Sequence, residues 1–314
     1  MRIAITGGTG FVGRHLAERL DAAETVIVSR RTGVGIDDVD ALGIAFQGCD
    51  AVAHCAGINR EIGDQTFQRV HVDGTRAVIE AARRAGVKRI VLLSFLRARP
   101  GTRSGYHETK WRAEELVRDS GLDHTILKSG MIYGRGDHMV DHVTRAVRTF
   151  PVFALVGRRD RRVRPVPVAD AVEVLIAALE GRIGDPTVAV MGAETLELGA
   201  AVRRIAGVAG RHPLYLRAPV WSIRMLAAVS EALMITPLVA RAQALMLAEG
   251  VDEAAPPAPE LPPELRPARR FDDDRIRAAL PEGRFTLRDL RVCRARARAA
   301  GGPPRAAGPH ARTV

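Results

Sequence analysis

Apolar residues in the first half of the chain follow two alternating rhythms. Short runs rich in Val and Ile, at 2–6, 25–29, 51–54, 89–94 and 125–128, have the length and continuity of buried strands. Between them, segments at 13–22, 38–46, 65–85, 106–119 and 139–149 repeat their apolar positions at helical spacing. Strand and helix in steady succession predict right-handed βαβ units and a parallel sheet covered on both faces. Further strands are expected at 152–156, 163–166 and 188–191, with a helix at 169–180. From 195 the rhythm lengthens into helical segments at 196–209 and 220–249, the second broken at Pro237. Residues 250–270, rich in Pro, Ala and Glu, read as a linker or strap, and 271–290 as one or two short helical turns. The predicted architecture is α/β: a Rossmann doubly wound parallel sheet over 1–192, a smaller, mainly helical substrate or partner region over 193–290, and a basic disordered tail over 291–314.

Composition changes this picture little. A chain of 314 residues can bury a large core. Its net charge of +11 suggests a nucleic-acid partner, yet 44 of the 47 basic residues are arginine and only Lys88, Lys110 and Lys128 are lysine. That skew looks like a GC-rich coding sequence, and no aromatic residues interleave with the basic ones, so no nucleic-acid role is expected. Six arginines and no acid lie in 291–314, as a solvated tail. Cys49, Cys55 and Cys293 have neither metal-ligand nor disulfide-framework spacing; no metal is expected, and a reducing cytoplasm fits. Met1 runs straight into a strand, which leaves no room for a leader. The apolar stretch 220–247 is interrupted by Arg224, Glu231, Pro237 and Arg241 and cannot span a bilayer. It leaves room for peripheral membrane contact, although a helix pair of the substrate region is the simpler reading.

Two motifs carry chemistry. Thr6-Gly-Gly-Thr-Gly-Phe-Val-Gly13 follows a strand and opens a helix. Gly7 makes the tight turn, Gly10 lets backbone approach a pyrophosphate, and Gly13 lets the helix pack closely on the sheet. Exposed N–H groups at the helix start, through Phe11 and Val12, then receive the anion. The second motif, Tyr106-His-Glu-Thr-Lys110, sets a phenol and an amine one helical turn apart on one face. A free phenol titrates near 10; a neighbouring ammonium favours the phenolate and tunes it for acid–base work. In a chain that nearly always uses arginine, a lysine at 110 points to a job a guanidinium cannot do.

With these residues in view, the chain resembles the short-chain dehydrogenase/reductase superfamily in its extended or atypical branch, well over 1–190 and poorly beyond. The resemblance implies a nicotinamide cofactor. Ser94, twelve residues before Tyr106, would be the hydroxyl that polarises the substrate oxygen; Ser104, the rival, suits a helix N-cap. Lys110 would also reach the nicotinamide ribose. Cys55, Ala56 and Gly57 resemble the third-strand segment beside the adenosine. The loop Ser129-Gly-Met-Ile132, including Met131, resembles the one that touches the carboxamide, with Lys128 and Ser129 replacing the usual arginine and proline. His71 replaces a usual asparagine and reads chiefly as a structural hydrogen-bonding histidine. Asp170 reads as a helix cap, and Asp137 and His138 as loop residues that either line a substrate mouth or are merely solvated.

The end of the second strand selects between cofactors. NAD binders place an acid there for the ribose hydroxyls. Ser29, Arg30 and Arg31 stand in its place and suit a 2′-phosphate, so NADP(H) is favoured over NAD(H). The leading reading is therefore an NADP(H)-dependent reductase or dehydrogenase of a carbonyl or alcohol, with a small-molecule substrate. The alternative is a non-catalytic NADP(H)-binding sensor or accessory protein, similar to NmrA-type and complex I accessory-subunit members and linked by analogy to quinones. A sugar-nucleotide epimerase or dehydratase is the lesser alternative, since no acid pair accompanies the active hydroxyl.

Overall fold

The computed structural model describes residues 1–234 and 237–290; the basic tail and Cys293 lie outside the described residues. Six parallel strands form the central sheet: β1 (Ile3–Thr6), β2 (Thr25–Val28), β3 (Ala51–His54), β4 (Arg89–Phe95), β5 (Asp123–Ser129) and, later in the chain, β10 (Thr187–Val190). Their order across the sheet is β2-β1-β3-β4-β5-β10. Connections leave β1 toward one edge and β3 toward the other, so the strand order reverses between them. Ligands bind at such a crevice, outside the carboxyl ends of the strands.

Alternation along β1 explains the layering. Ile3 and Ile5 pack with Leu16 of α1 (Phe11–Arg19) and with the apolar α6 (Val168–Leu179). Ala4 turns the other way, toward the cluster built on α2 (Val39–Phe46) and α3 (Gly74–Arg84), which includes Ala113 and Val117 of α4 (Gly105–Arg118). The strands are apolar throughout because both faces are covered. The helix expected over 65–85 is divided: a π-helical stretch, Gln68–Asp73, feeds into α3.

A second core lies beyond the sheet. The short β6 (Ile132–Tyr133) pairs with β9 (Val166–Pro167), and α5 (His138–Thr149) leads into β7 (Val152–Val156). The short β8 (Arg162–Val163) pairs with β11 (Leu196–Glu197), which opens α7 (Leu198–Val208). Val140, Val143 and Val147 of α5 meet Val202, Ile205 and Ala206 of α7, with Phe271 and with Ile276 of α10 (Asp273–Ala279). The sequence pattern missed β12 (Leu214–Ala218), which pairs in parallel with β7 and precedes α8 (Val220–Leu233) and α9 (Arg241–Glu249). Pro237 falls between those two helices, as its missing N–H and fixed φ require.

The segment after α9 returns to the sheet. Ala189 donates its N–H to Pro259 O at 2.8 Å, and Leu261 is buried in the main core. Arg269 then pairs with Asp170 and Glu173 of α6. This corrects the expected role of Asp170: α6 begins after Pro167, and the buried carboxylate anchors the strap instead of capping the helix.

The tightest crossing is at Gly192, where a Cβ would lie 1.9 Å from Pro165 O. Arg164 Nε donates to Gly192 O at 3.0 Å across the same point. Gly192→Ala should therefore destabilise the protein by about 1–3 kcal/mol or more, because backbone must move on both sides. Gly184→Ala is the control, since nothing lies within 4 Å of its added Cβ. Equal urea midpoints for the two variants would refute the crossing as a constraint.

Candidate active site

The glycine turn after β1 is built by close backbone approach. Gly7 adopts φ +70°, and a Cβ there would lie 2.7 Å from Ala56 Cα, at the end of β3. A Cβ on Gly13 would meet Gly7 O at 2.4 Å. Gly10 is the N-cap of α1 and has no side chain to occupy the first-turn N–H groups. These residues fit a dinucleotide pyrophosphate: the N–H groups face the switch point and the helix dipole favours an anion. Phe11 and Val12, in that first turn, pack against the main core. Thr6 is different. Its hydroxyl is buried and lies 2.6 Å from His54 Nδ1, so its side chain is spent in the core and only its backbone can serve the cradle.

At the end of β2, Ser29 caps a single 3₁₀ turn, accepting from Thr32 N at 3.3 Å. Arg30 and Arg31 are exposed. The Ser29 Oγ already has this local task, which leaves the two guanidinium groups as the principal polar handles there.

Helix α4 supplies the phenol–amine pair. Ser104 caps it, accepting from His107 N at 3.5 Å. Tyr106 lies edge-on to Phe67, His71 and Phe95, with centroids 5.7, 5.5 and 5.3 Å away. Lys110 is buried and donates to Leu93 O at 2.8 Å. Gly57 separates it from His71: a Cβ there would meet His71 Nε2 at 3.7 Å and Lys110 Nζ at 3.8 Å. Burial lowers the Lys110 ammonium to about 8, with Glu114 and Cys55 partly opposing the shift. The Cys55 thiol is pushed up to about 12 by burial, against the pull of Lys110. Burial also pushes the Tyr106 phenol above its ordinary range. Burial of the chain alone therefore favours the protonated phenol.

Ser94 is placed differently from its expected role. Its buried hydroxyl donates to Glu114 Oε1 at 2.5 Å, and Lys128 Nζ donates to the same carboxylate at 3.1 and 3.2 Å and to Ala98 O at 2.9 Å. A proton given to a buried carboxylate is not available to a substrate oxygen. Glu114 was missed in the sequence, although its spacing, one turn beyond Lys110, puts it on the same helix face. Ser129 Oγ is buried without a hydrogen-bond partner at the end of β5. It is a free polar handle where a carboxamide is expected. Met131 packs against the second core.

Two neutral histidines wire the site to the sheet. Thr109 donates to Gly105 O at 2.6 Å, and its oxygen lies 3.0 Å from His71 Nδ1; His71 Nε2 lies 3.1 Å from Ile58 N and 3.0 Å from Ile58 O. Thr75 likewise donates to His71 O at 2.5 Å and accepts from His54 Nε2 at 2.9 Å. Burial holds the His71 imidazole well below its usual range and brings His54 to about 3, with Lys110 adding to both shifts. His71 is thus held by hydrogen bonds on both ring nitrogens.

A cavity of about 300 Å³ opens beside these loops, lined by Asn59, Arg60, Gly136, Asp137, His138 and His142, with Pro237 and Gln243 reaching it from the later helices. Asp137 and His138 therefore line this cavity. Burial pushes the Asp137 carboxyl up to about 7 even though Gly134 N and Val140 N donate to it at 2.8 and 2.7 Å. Among the described residues, no group of His, Cys, Asp and Glu could hold a metal ion.

The depressed Lys110 has a measurable consequence. From about pH 8 up to the ordinary lysine range, the native protein has released a proton that the unfolded chain still holds, so stability rises with pH in that window. Lys110→Met lacks the group. The parent should therefore gain melting temperature on the variant between neutral and alkaline pH in the absence of cofactor. Parallel pH profiles would refute a depressed Lys110.

Comparison with known proteins agrees with this geometry. The sequence model of the NAD dependent epimerase/dehydratase family matches residues 3–192. A ceramide reductase of Caulobacter vibrioides is 32% identical over 191 residues, covering 56% of this chain and 60% of that protein. The mouse mitochondrial NADH dehydrogenase [ubiquinone] 1 alpha subcomplex subunit 9 is 27% identical over 196 residues, covering 55% of this chain and 52% of its own length. The chain thus spans little more than half of either curated relative. A solved structure of MoeE5 in complex with UDP-glucose and NAD superposes with a TM-score of 0.65, covering 89% of this chain and 97% of that one; at 19% identity it shows the shared fold. With the glycine cradle at the strand-order reversal and the family match over residues 3–192, the chain belongs to the NAD dependent epimerase/dehydratase family.

Proposed function

We propose that this protein is an NADP(H)-dependent oxidoreductase that reduces a carbonyl or oxidises the corresponding alcohol. The observation that carries the reading is the Tyr106–Lys110 pair on α4, with Gly57 between Lys110 and His71 at the end of β3, next to the glycine turn. The cradle, Arg30 and Arg31, and Ser129 would hold the cofactor, which when bound supplies or accepts the hydride. Tyr106 donates the proton to the substrate oxygen in the reductive direction; a phenol kept protonated by burial suits that role. Lys110, anchored on Leu93 O, contributes a positive charge and a donor toward the ribose. Ser94 enters this reading as a positioning residue, holding Glu114 and Lys128 beneath the helix. The relative named as a reductase supports the direction.

One observation favours a second reading, the non-catalytic binder: the Ser94 hydroxyl is committed to Glu114, and the mouse relative is named as a subunit of a larger complex.

Single-turnover oxidation of NADPH against a panel of carbonyls and quinones separates the two. Tyr106→Phe should keep the fold and NADPH affinity and lose about 10²–10⁴-fold in rate. Lys110→Arg should not restore what Lys110→Met loses, because a planar guanidinium neither fits nor presents the same point charge. Tight NADPH binding with no turnover, or a Tyr106→Phe protein as fast as the parent, would leave the binder as the reading.

The cofactor preference is tested separately by calorimetry. NADPH should bind more tightly than NADH by roughly 1.5–3 kcal/mol, the scale of a charged hydrogen bond, and Arg30→Asp should reverse the order. Equal affinities untouched by the substitution would remove the argument for NADP(H).

A further inference from the structure

Helix α8 presents an apolar stripe to solvent. Trp221, Met225, Val229 and Leu233 follow one another every four residues, and they are 66%, 61%, 54% and 51% exposed. Leu226 flanks the stripe, and the small Ala228 and Ala232 lie within it, both exposed. The opposite face, Ile223, Ala227 and Ser230, is the side that packs inward. The ribbon leading into the helix adds exposed Val152 and Leu214, which pair in register, and Leu216. Single exposed apolar residues need no explanation, but a contiguous stripe more than three turns long marks a contact surface.

Charge identifies what covers it. The ionisable residues on α8 are Arg224, which is exposed, and Glu231, whose carboxylate is paired with Arg241 at 2.8 Å. At the far end of the helix, Met234 bridges to Leu290 in antiparallel fashion. The chain therefore enters 291–314, with six arginines and no acid, at the end of this stripe. An apolar strip with an amphipathic tryptophan at its start and the exposed Arg224 on its flank, in a chain whose sequence continues past Leu290 with six arginines, matches an anionic bilayer surface, where apolar burial and headgroup attraction add. A second copy matches it poorly, because α8 offers the arginines no free acid: its one carboxylate, Glu231, is already paired with Arg241. No helix among the described residues is long and apolar enough to cross a membrane, so the contact is peripheral.

We propose that α8 docks this protein on anionic lipid membranes, with the stripe Trp221–Met225–Val229–Leu233 entering the interface and the 291–314 segment supplying electrostatic attraction. The proposal is independent of the reaction assigned above.

The chain has two tryptophans, so Trp111→Phe leaves Trp221 as the sole reporter. Its emission should shift to the blue with vesicles of equal parts phosphatidylcholine and phosphatidylglycerol. The protein should co-sediment with them, less so with phosphatidylcholine alone or at high salt. The double variant Met225→Glu, Val229→Glu should lose at least about tenfold in vesicle affinity, the scale of two apolar side chains. It should retain melting temperature and NADPH binding; Met225→Gln, Val229→Gln provides a neutral counterpart. Deletion of 291–314 should weaken binding to anionic vesicles and leave NADPH binding unchanged.

Three results would overturn the proposal: no emission shift and no co-sedimentation of the parent; equal binding by the parent and the glutamate variant; or a parent dimer in sedimentation equilibrium that the glutamate variant dissolves while neither binds vesicles. Anionic-vesicle binding unchanged by the deletion would overturn the electrostatic half.

Discussion

Burying the ionisable face of α4 against the sheet is the constraint on which the site depends. Lys110 and Glu114 follow Tyr106 at successive helical turns, and both are buried. A charge without water must be paired or fully hydrogen-bonded. Lys110 takes Leu93 O, and Glu114 takes Ser94, Lys128 and, from the rim, Arg118. These contacts latch α4 to both β4 and β5, so the position of the phenol is fixed by electrostatics as much as by packing. Replacing one partner leaves the other stranded, which is far more costly than the pair is worth.

The second constraint is steric and lies across the sheet. Gly7, Gly13 and Ala56 approach so closely that β1, α1 and the end of β3 cannot separate without opening the cradle. His54, fixed between Thr6 and Thr75, ties β1 and β3 to α3, while His71 ties α3's π-helical lead-in to Ile58 and to Thr109 of α4. The glycine turn, β3 and α4 are thus parts of one hydrogen-bonded assembly. Both histidines are neutral, because burial beside Lys110 penalises a second charge.

The later half of the chain has a different character. Its core borrows α5 and β7 from between the sheet strands, and the strap after α9 returns to bury Leu261 and pair Arg269 with Asp170. The strap holds the two cores together, whereas α8 keeps a wide apolar face outside both. The cavity lined by Asn59, Arg60 and His138 is completed from this same half by Pro237 and Gln243, so its walls come from both parts of the chain.

The sequence by itself determined the parallel sheet, the glycine turn and the phenol–amine pair, because each rests on local order: short continuous apolar runs alternating with period-3.6 patterning, glycines at fixed offsets, and residues four apart on one helix. It also located Ser104 as a cap. Only the tertiary structure decided where side chains from different elements meet. Ser94 stands at the right distance along the chain for catalysis, yet its hydroxyl is spent on Glu114, twenty residues away. Asp170 sits in a first helical turn like a cap, yet Arg269 claims it. The strand Leu214–Ala218 has no strong pattern of its own and exists because β7 offers it a ladder. Burial raises the Tyr106 phenol, a shift the sequence could not show, since desolvation is a property of the packed fold and leaves no mark on the spacing of residues.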